Sequence, residues 1–396
     1  MADLNELSAQ EIGRRLRLAR ENADIRQDEA AHVIGMSRPT LVSIEKGTRR
    51  VRIQELQALA RHYGVSVNAI LRREAVHTDL IPRFRKLRET EDDHTLEAIQ
   101  LLNDLVKAEV ELENVLGVER RRHYPPERGI NEGDVLELAE KHAQELRDWL
   151  GLGSGPITDI FSVIELDLGI RLYQRRLSSK SKVAGLFTFD DAVGACILLN
   201  ANHPLERRIQ SAAHEVGHFF GTRRVPEVLE DNEQFLSRDE RYANAFGRAF
   251  LTPWKSFKES FRQLTAGADK LTRRHVILLA HQHNLSREAA VRRLEELDLV
   301  RKGTWEWFKR NGGIKDEQAR EVLGAAAMRP DPAKDDANRQ VSHRLSLMAH
   351  AAWKRGLMSE GQLAELLKLR RVEVRGLIDQ IELEESVTDD LLKLLG

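Results

Sequence analysis

Residues 207–220 read Arg-Arg-Ile-Gln-Ser-Ala-Ala-His-Glu-Val-Gly-His-Phe-Phe, and 240–253 read Glu-Arg-Tyr-Ala-Asn-Ala-Phe-Gly-Arg-Ala-Phe-Leu-Thr-Pro. Both have the apolar spacing of helices, and the first carries His214, Glu215 and His218 in the pattern His-Glu-x-x-His. A separation of i, i+4 puts both imidazoles on one helical face, where they can bind a single zinc ion with Glu215 beside them. A catalytic zinc also needs a third protein ligand and an open position. Glu240 is the expected third ligand, and Asn244, one turn further on the same face, is suited to hold a ligand in place. Glu233 and Asp239 compete for the ligand role, but neither lies on the face that Ala243, Phe246 and Phe250 make apolar.

Working outward from this pair of helices, Gly169 to Arg171, Val183–Phe189 and Ala195–Leu199 carry the β-branched and aromatic signals of short strands. Asp190 and Asp191 mark a turn between the last two, so a small sheet of one hairpin plus a strand is predicted. An exposed edge near Val183–Phe189 would hold an extended peptide by strand addition. Elsewhere helical periods dominate, consistent with 41% hydrophobic but only 5% aromatic residues. The predicted class is mainly α with a small β-sheet. Breaks at Tyr124–Gly129, Gly312-Gly313 and Arg329–Arg339, set among the helical periods, divide the chain into 1–75, a helical connector at 76–125, a domain at 126–300 and a helical domain at 301–396.

In the first segment, Gln27 to Glu45 reads as two short helices hinged at Gly35, with Ser37 placed to cap the second. Ala30, Ala31 and Ile34 can pack on Leu41 and Ile44, leaving Arg38, Pro39, Thr40 and Ser43 outside. A helix so exposed fits a DNA major groove. From Arg38 to Arg52 five basic residues, Lys46, Arg49 and Arg50 among them, stand against one acid, Glu45, a local charge of +4 suited to phosphate. In the connector, Ala98, Leu101, Leu105, Ala108, Leu112 and Val115 alternate by three and four, as a parallel homodimer would require. Ile99, Leu102, Val106 and Val110 widen that stripe, as in one helix of a mixed bundle.

Over Glu11 to Leu71 the chain resembles the lambda-repressor-like (XRE) helix-turn-helix family, including Ser-Ile-Glu-Lys-Gly at 43–47 and Gly-Val-Ser-Val-Asn-Ala-Ile-Leu at 64–71. The resemblance implies a five-helix domain in which Gln27 grips phosphate and Arg38, Thr40 and Ser43 face bases of a double-stranded operator. Pro39 departs from the usual polar reader. From about Leu136 to Val300 the chain resembles the ImmA/IrrE metallopeptidases, through the His-Glu-x-x-His helix, Glu-x-x-Ala-Asn-x-Phe, Pro156–Ile160, Glu165 to Ile170 and the Leu-Thr-Pro close at 251–253. It implies a gluzincin-like α+β fold, one Zn2+ per chain on His214, His218 and Glu240, and Glu215 as catalytic base. Ile209-Gln210-Ser211 and Gly247 depart from that family's common residues.

With zinc supplying an acidified water, Glu215 is suited to accept its proton and return it to a leaving amine. Tyr242, His203 and Arg208 are candidate donors to the developing oxyanion. The expected function is a transcriptional regulator whose endopeptidase domain cleaves a repressor-type partner, or itself, under stress. The alternative is a non-proteolytic regulator, antitoxin or phage-type repressor that uses the second domain as a sensor. Segments 285–294 and 359–367 also look like helix-turn-helix halves, read here as scaffold because the second precedes the acid-rich 379–390.

Composition narrows the setting. Lys plus Arg (62) nearly cancels Asp plus Glu (63), so any basic surface is local. Apolar runs fall short of the ~18 residues that span a bilayer, and Met1 to Asn5 opens no signal peptide, which predicts a cytoplasmic protein away from membranes. Cys196 is the one cysteine, which excludes an internal disulfide and a Cys-only zinc site.

Overall fold

The computed structural model describes residues 9–23, 25–65, 67, 70, 79–86, 93–130, 132–230, 237–266, 268, 270–324 and 342–395. The chain forms two compact units, 1–77 with 113–118, and 78–112 with 119–396.

In the first unit α1 (Ala9–Asn22), α2 (Gln27–Val33), α3 (Arg38–Glu45) and α4 (Ile53–His62) close on one core. Leu16, Ala30, Ala31, Leu41, Ile44, Leu56 and Leu59 fill it. The turn between α2 and α3 passes through Gly35 at φ 63°, a left-handed conformation that favours glycine. Pro39 sits in the first turn of α3, where its missing N–H has no helical partner to lose. The expected fifth helix falls mostly outside the described residues.

α5 (Asp93–Leu116), which belongs to the second unit up to Leu112, buries Ala98, Ile99, Leu102, Leu105, Val106 and Leu112 within the chain. That is the wide stripe of a bundle helix rather than an exposed two-stranded seam. α6 (Val135–Leu150) starts where the Asp134 carboxylate accepts the Leu136 and Glu137 N–H groups. A helical turn at 160–167 leads to β1 (Arg171–Arg175), β2 (Val183–Asp190) and β3 (Gly194–Asn200). α7 (Leu205–Gly221), β4 (Glu227–Glu230) and α8 (Arg238–Leu251) follow. The sheet order is β1-β3-β2-β4. β3 is parallel to β1 and antiparallel to β2, and β4 is antiparallel to β2.

The predicted hairpin is β2–β3, with Asp190 opposite Gly194. The strand expected from Gly169 begins at Arg171 instead, because Gly169 is left-handed at φ 73°. β4 was not anticipated: Glu-Val-Leu-Glu is too short and too polar to stand out. One core joins α6 (Ala139, Leu146), the sheet (Phe187, Ile197), α7 (Val216, Phe219) and α8 (Phe246, Phe250).

Beyond α8 come α9 (Trp254–Thr265), α10 (Arg273–Gln282), α11 (Arg287–Glu296), α12 (Thr304–Arg310) and α13 (Asp316–Leu323). Then α14 (His343–Lys354), α15 (Glu360–Leu366) and α16 (Arg371–Leu395) complete the chain. Gly312 and Gly313, both at positive φ, end α12 as the sequence suggests. The Arg329–Arg339 break lies outside the described residues. α11, within the helix-turn-helix-like segment 285–294, buries Ala289, Ala290 and Leu294 in the core, so that face is scaffold.

Candidate metal centre and candidate nucleic-acid face

α7 and α8 cross closely because two positions at the crossing lack side chains. A Cβ on Gly217 would lie 2.9 Å from Ala243 Cα, and one on Gly247 would lie 3.0 Å from the His214 nitrogen. The Gly247 departure noted in the sequence thus has a packing reason, since an added methyl would press on the His214 backbone. Ser237 caps α8 by accepting the Glu240 N–H at 3.1 Å, which sets Glu240 in the first turn, facing α7.

His214 Nε2 and His218 Nε2 are 3.0 Å apart. Glu240 Oε2 lies 3.4 Å from the first and its Oε1 lies 3.0 Å from the second. A tetrahedron with arms of about 2.0–2.1 Å has edges of about 3.3–3.4 Å, so the three groups stand near the spacing a zinc ion requires. The outer ring nitrogens are held from behind: His214 Nδ1 pairs with Asn244 Oδ1 at 3.3 Å and His218 Nδ1 with Thr222 Oγ1 at 3.1 Å. Asn244 was anticipated; Thr222, just past the end of α7, was not, since nothing in its local sequence marks it.

Burial, with His218 adding to it, pushes His214 down to about 3, and burial pushes His218 down to about 4. Both rings are therefore neutral near pH 7, as metal ligation requires. Burial raises the Glu240 carboxyl against the pull of His214. Burial, then Glu240 and Glu227, hold the Glu215 carboxyl well above its ordinary value. Among the described residues, no hydrogen bond of good geometry reaches the buried carboxylate oxygens of Glu215 or Glu240. Buried polar atoms left this way call for a further partner, and a divalent cation fits the donor set of two imidazoles and a carboxylate.

Of the two competing ligands, the described Asp239 is not part of this cluster. Asp239 acts on His218 only through its charge, and Glu233 lies outside the described residues. Of the oxyanion candidates, Tyr242 is fully buried with its hydroxyl 2.9 Å from His142 Nδ1. Arg208 is buried against Gln174 with its guanidinium 5.9 Å from the Phe161 ring centre, and His203 stands in the turn before α7. None of the three lines the cavity of about 1070 Å3 onto which His214 and Asn244 open. Its walls include Arg207 and Gln210 of α7, Leu229 of β4, and Arg292 and Trp305. The edge of β2 expected to be open is covered, because β4 pairs along it from Val183 to Phe187.

In the first unit Ser37, Arg38, Pro39, Lys46 and Arg50 are exposed, and Gln27, Thr40, Ser43 and Arg49 are half-buried. Ser37 occupies the N-cap position of α3, but its hydroxyl pairs with Thr40 Oγ1 at 3.0 Å rather than with a backbone N–H. Ser43 Oγ donates to the Pro39 carbonyl at 3.0 Å. Gln27 Nε2 donates to Glu45 Oε2 at 2.9 Å, and Arg38 Nε reaches Gln27 Oε1 at 3.4 Å. Glu45, counted against the local charge, is buried and bound by Arg20 Nε at 2.7 Å. Arg49 forks onto Glu55 at 2.8 and 3.0 Å, so Lys46, Arg50 and Arg52 are left as the exposed cations after α3.

A two-helix metal-type centre and a helix-turn-helix on one chain define the class. Residues 11–73 match the family model described as a helix-turn-helix domain, and residues 166–295 match the one described as the IrrE N-terminal-like domain, a peptidase family. The chain thus carries a helix-turn-helix domain followed by an IrrE-like peptidase domain. No curated protein matches it. Among solved structures it is similar to the crystal structure of ComR from Streptococcus suis, at 11% identity over 97% of both chains with a TM-score of 0.16, a likeness that carries no argument for fold or function.

Proposed function

We propose that this chain is a cytoplasmic DNA-binding transcriptional regulator with a zinc-dependent endopeptidase domain that cleaves a repressor-type partner, or its own amino-terminal part, to switch gene expression under stress. The observation that carries this reading is the convergence of His214 and His218 of α7 with Glu240 of α8 within 4.8 Å, next to the buried Glu215 of α7. One zinc per chain, when bound, would supply Lewis acidity to a water and a peptide carbonyl. His214, His218 and Glu240 would hold it, with Asn244 and Thr222 fixing the two rings. Glu215 follows His214 directly on α7, and its carboxylate is suited to take a proton and pass it to the departing amine. The half-open cavity beside His214 is large enough for an extended segment of a substrate.

Ser37, Arg38, Thr40 and Ser43 are proposed to meet an operator's major groove, with Gln27, Lys46, Arg49 and Arg50 on its phosphates. No helix among the described residues is long and apolar enough to cross a membrane. A second reading is a non-proteolytic regulator, antitoxin or phage-type repressor that uses the peptidase-like domain as a sensor. It draws on β4, which occupies the strand edge that a substrate could use. Metal analysis followed by incubation with candidate repressors separates the two. About one zinc per chain with cleavage supports the peptidase, and zinc without cleavage of any candidate supports the sensor.

A further inference from the structure

We propose that Gly185 is a positioning residue for Glu215: the absent side chain on β2 is what allows the carboxylate of the proposed base to lie against the strand. This rests on the peptidase reading above. A Cβ built on Gly185 would stand 2.4 Å from Glu215 Oε1 and 3.3 Å from its carboxyl carbon. The third nearest atom is Leu199 Cδ2 at 3.5 Å, an ordinary contact, so what a side chain there would displace is the end of the Glu215 side chain.

The other reasons for a glycine do not apply. Gly185 is not among the glycines at positive φ, so its backbone is one that any residue adopts. It sits inside a strand, opposite Leu199 on β3 and Leu229 on β4, where glycine weakens the strand by leaving nothing to pack. The β4 pairing slips between Val183 and Gly185, and the kind of bulge that demands glycine needs a left-handed residue, which this one is not. What remains is space for the carboxylate.

Glu215 has few other constraints. It is fully buried, and no hydrogen bond from the described residues reaches either oxygen. Its backbone belongs to α7, which is buried from Ser211 to Gly221 and cannot shift cheaply. Its carboxylate is therefore held by shape, in the gap above Gly185. A methyl at 185 must be met by a new Glu215 rotamer, which moves the carboxylate while leaving His214, His218 and Glu240 in place.

The test uses the full chain and two readouts that need no substrate. In metal-free protein, thermal unfolding is measured for wild type, Gly185→Ala, Glu215→Ala and the double variant. Gly185→Ala should lower Tm when Glu215 is present and have little effect when Ala occupies 215. In cobalt-loaded protein, acetohydroxamic acid is titrated by visible absorption, since its hydroxyl can donate to the carboxylate beside the metal. Gly185→Ala should keep cobalt affinity yet bind the hydroxamate roughly tenfold more weakly, the size of one lost hydrogen bond to a charged group. In a Glu215→Gln background the same change should add nothing. Absence of thermal coupling, unchanged hydroxamate binding in Gly185→Ala, or further weakening on top of Glu215→Gln would each overturn the role of Gly185 alone. A wild-type chain that binds no cobalt would sink the peptidase reading and this role with it.

Discussion

Glu165 and Glu109 show how burial is compensated in one case and not in another. Glu109 on α5 is fully buried, which alone would raise its carboxyl, but Arg120, Arg171 and the Tyr173 hydroxyl at 2.6 Å outweigh burial and hold it at about 2. Its folded value is depressed, so its contribution to stability is present above the ordinary value of 4.5 and is lost as pH falls toward about 2. Glu165 has weaker help, from Ser342 and from the Arg344 N–H at 3.2 Å, and burial raises it to about 7. Here the folded value is raised, so stability is fully present below 4.5 and declines as pH rises through about 7. Glu165→Gln is expected to remove about 1–3 kcal/mol of that decline, read as a flatter Tm between pH 5 and 8; an unchanged slope would show that Glu165 ionises freely. At this scale the sequence was most legible where chemistry follows local spacing: His214 and His218 one turn apart, Glu240 and Asn244 one turn apart. Thr222 and Gly185 were not legible, because their roles depend on the end geometry of α7 and on a strand that meets it only through the fold.

Elements carry the next set of expectations. The α7–α8 crossing depends on Gly217, whose added methyl would meet Ala243 backbone atoms that cannot yield as a flexible side chain does. Gly217→Ala is expected to destabilise the fold by about 1–3 kcal/mol and to weaken zinc binding, because Glu240 is carried away from the two rings. Denaturant unfolding and a competitive zinc titration read the two effects, and a variant with both unchanged would mean that the helices can part without loss. In the first unit, Glu45 ties α3 to α1 through Arg20 and to α2 through Gln27. Glu45→Ala leaves Arg20 buried without that carboxylate and should cost about 3 kcal/mol, with operator binding falling as α3 loses its anchor. Helix periods in the sequence foresaw α2, α3, α7 and α8, and the turn residues Asp190 and Asp191 foresaw the β2–β3 hairpin. β4 escaped because four residues with acids at both ends carry no strand signal, and its pairing decides that β2 is an inner strand.

For the whole chain, near-neutral net charge coexists with a local basic surface, so DNA binding by the intact protein should weaken steeply with salt. Lys46→Ala or Arg50→Ala is expected to lower affinity for all sequences alike and reduce the salt slope by about one each, whereas Arg38→Ala should relax sequence preference. Affinity flat with salt would contradict a phosphate-gripping face. The two proposed activities are separated by Glu215→Gln, a near-isosteric change that cannot accept the proton. The measurement is the lifetime of the candidate repressor, or of the chain's own amino-terminal part, in stressed cells carrying either the parent chain or Glu215→Gln, with zinc content and DNA binding confirmed equal in the purified proteins. Cleavage slowed by at least ~100-fold with zinc retained is the result expected of a lost general base. Equal lifetimes and an unchanged stress response would contradict it and leave the second domain a sensor.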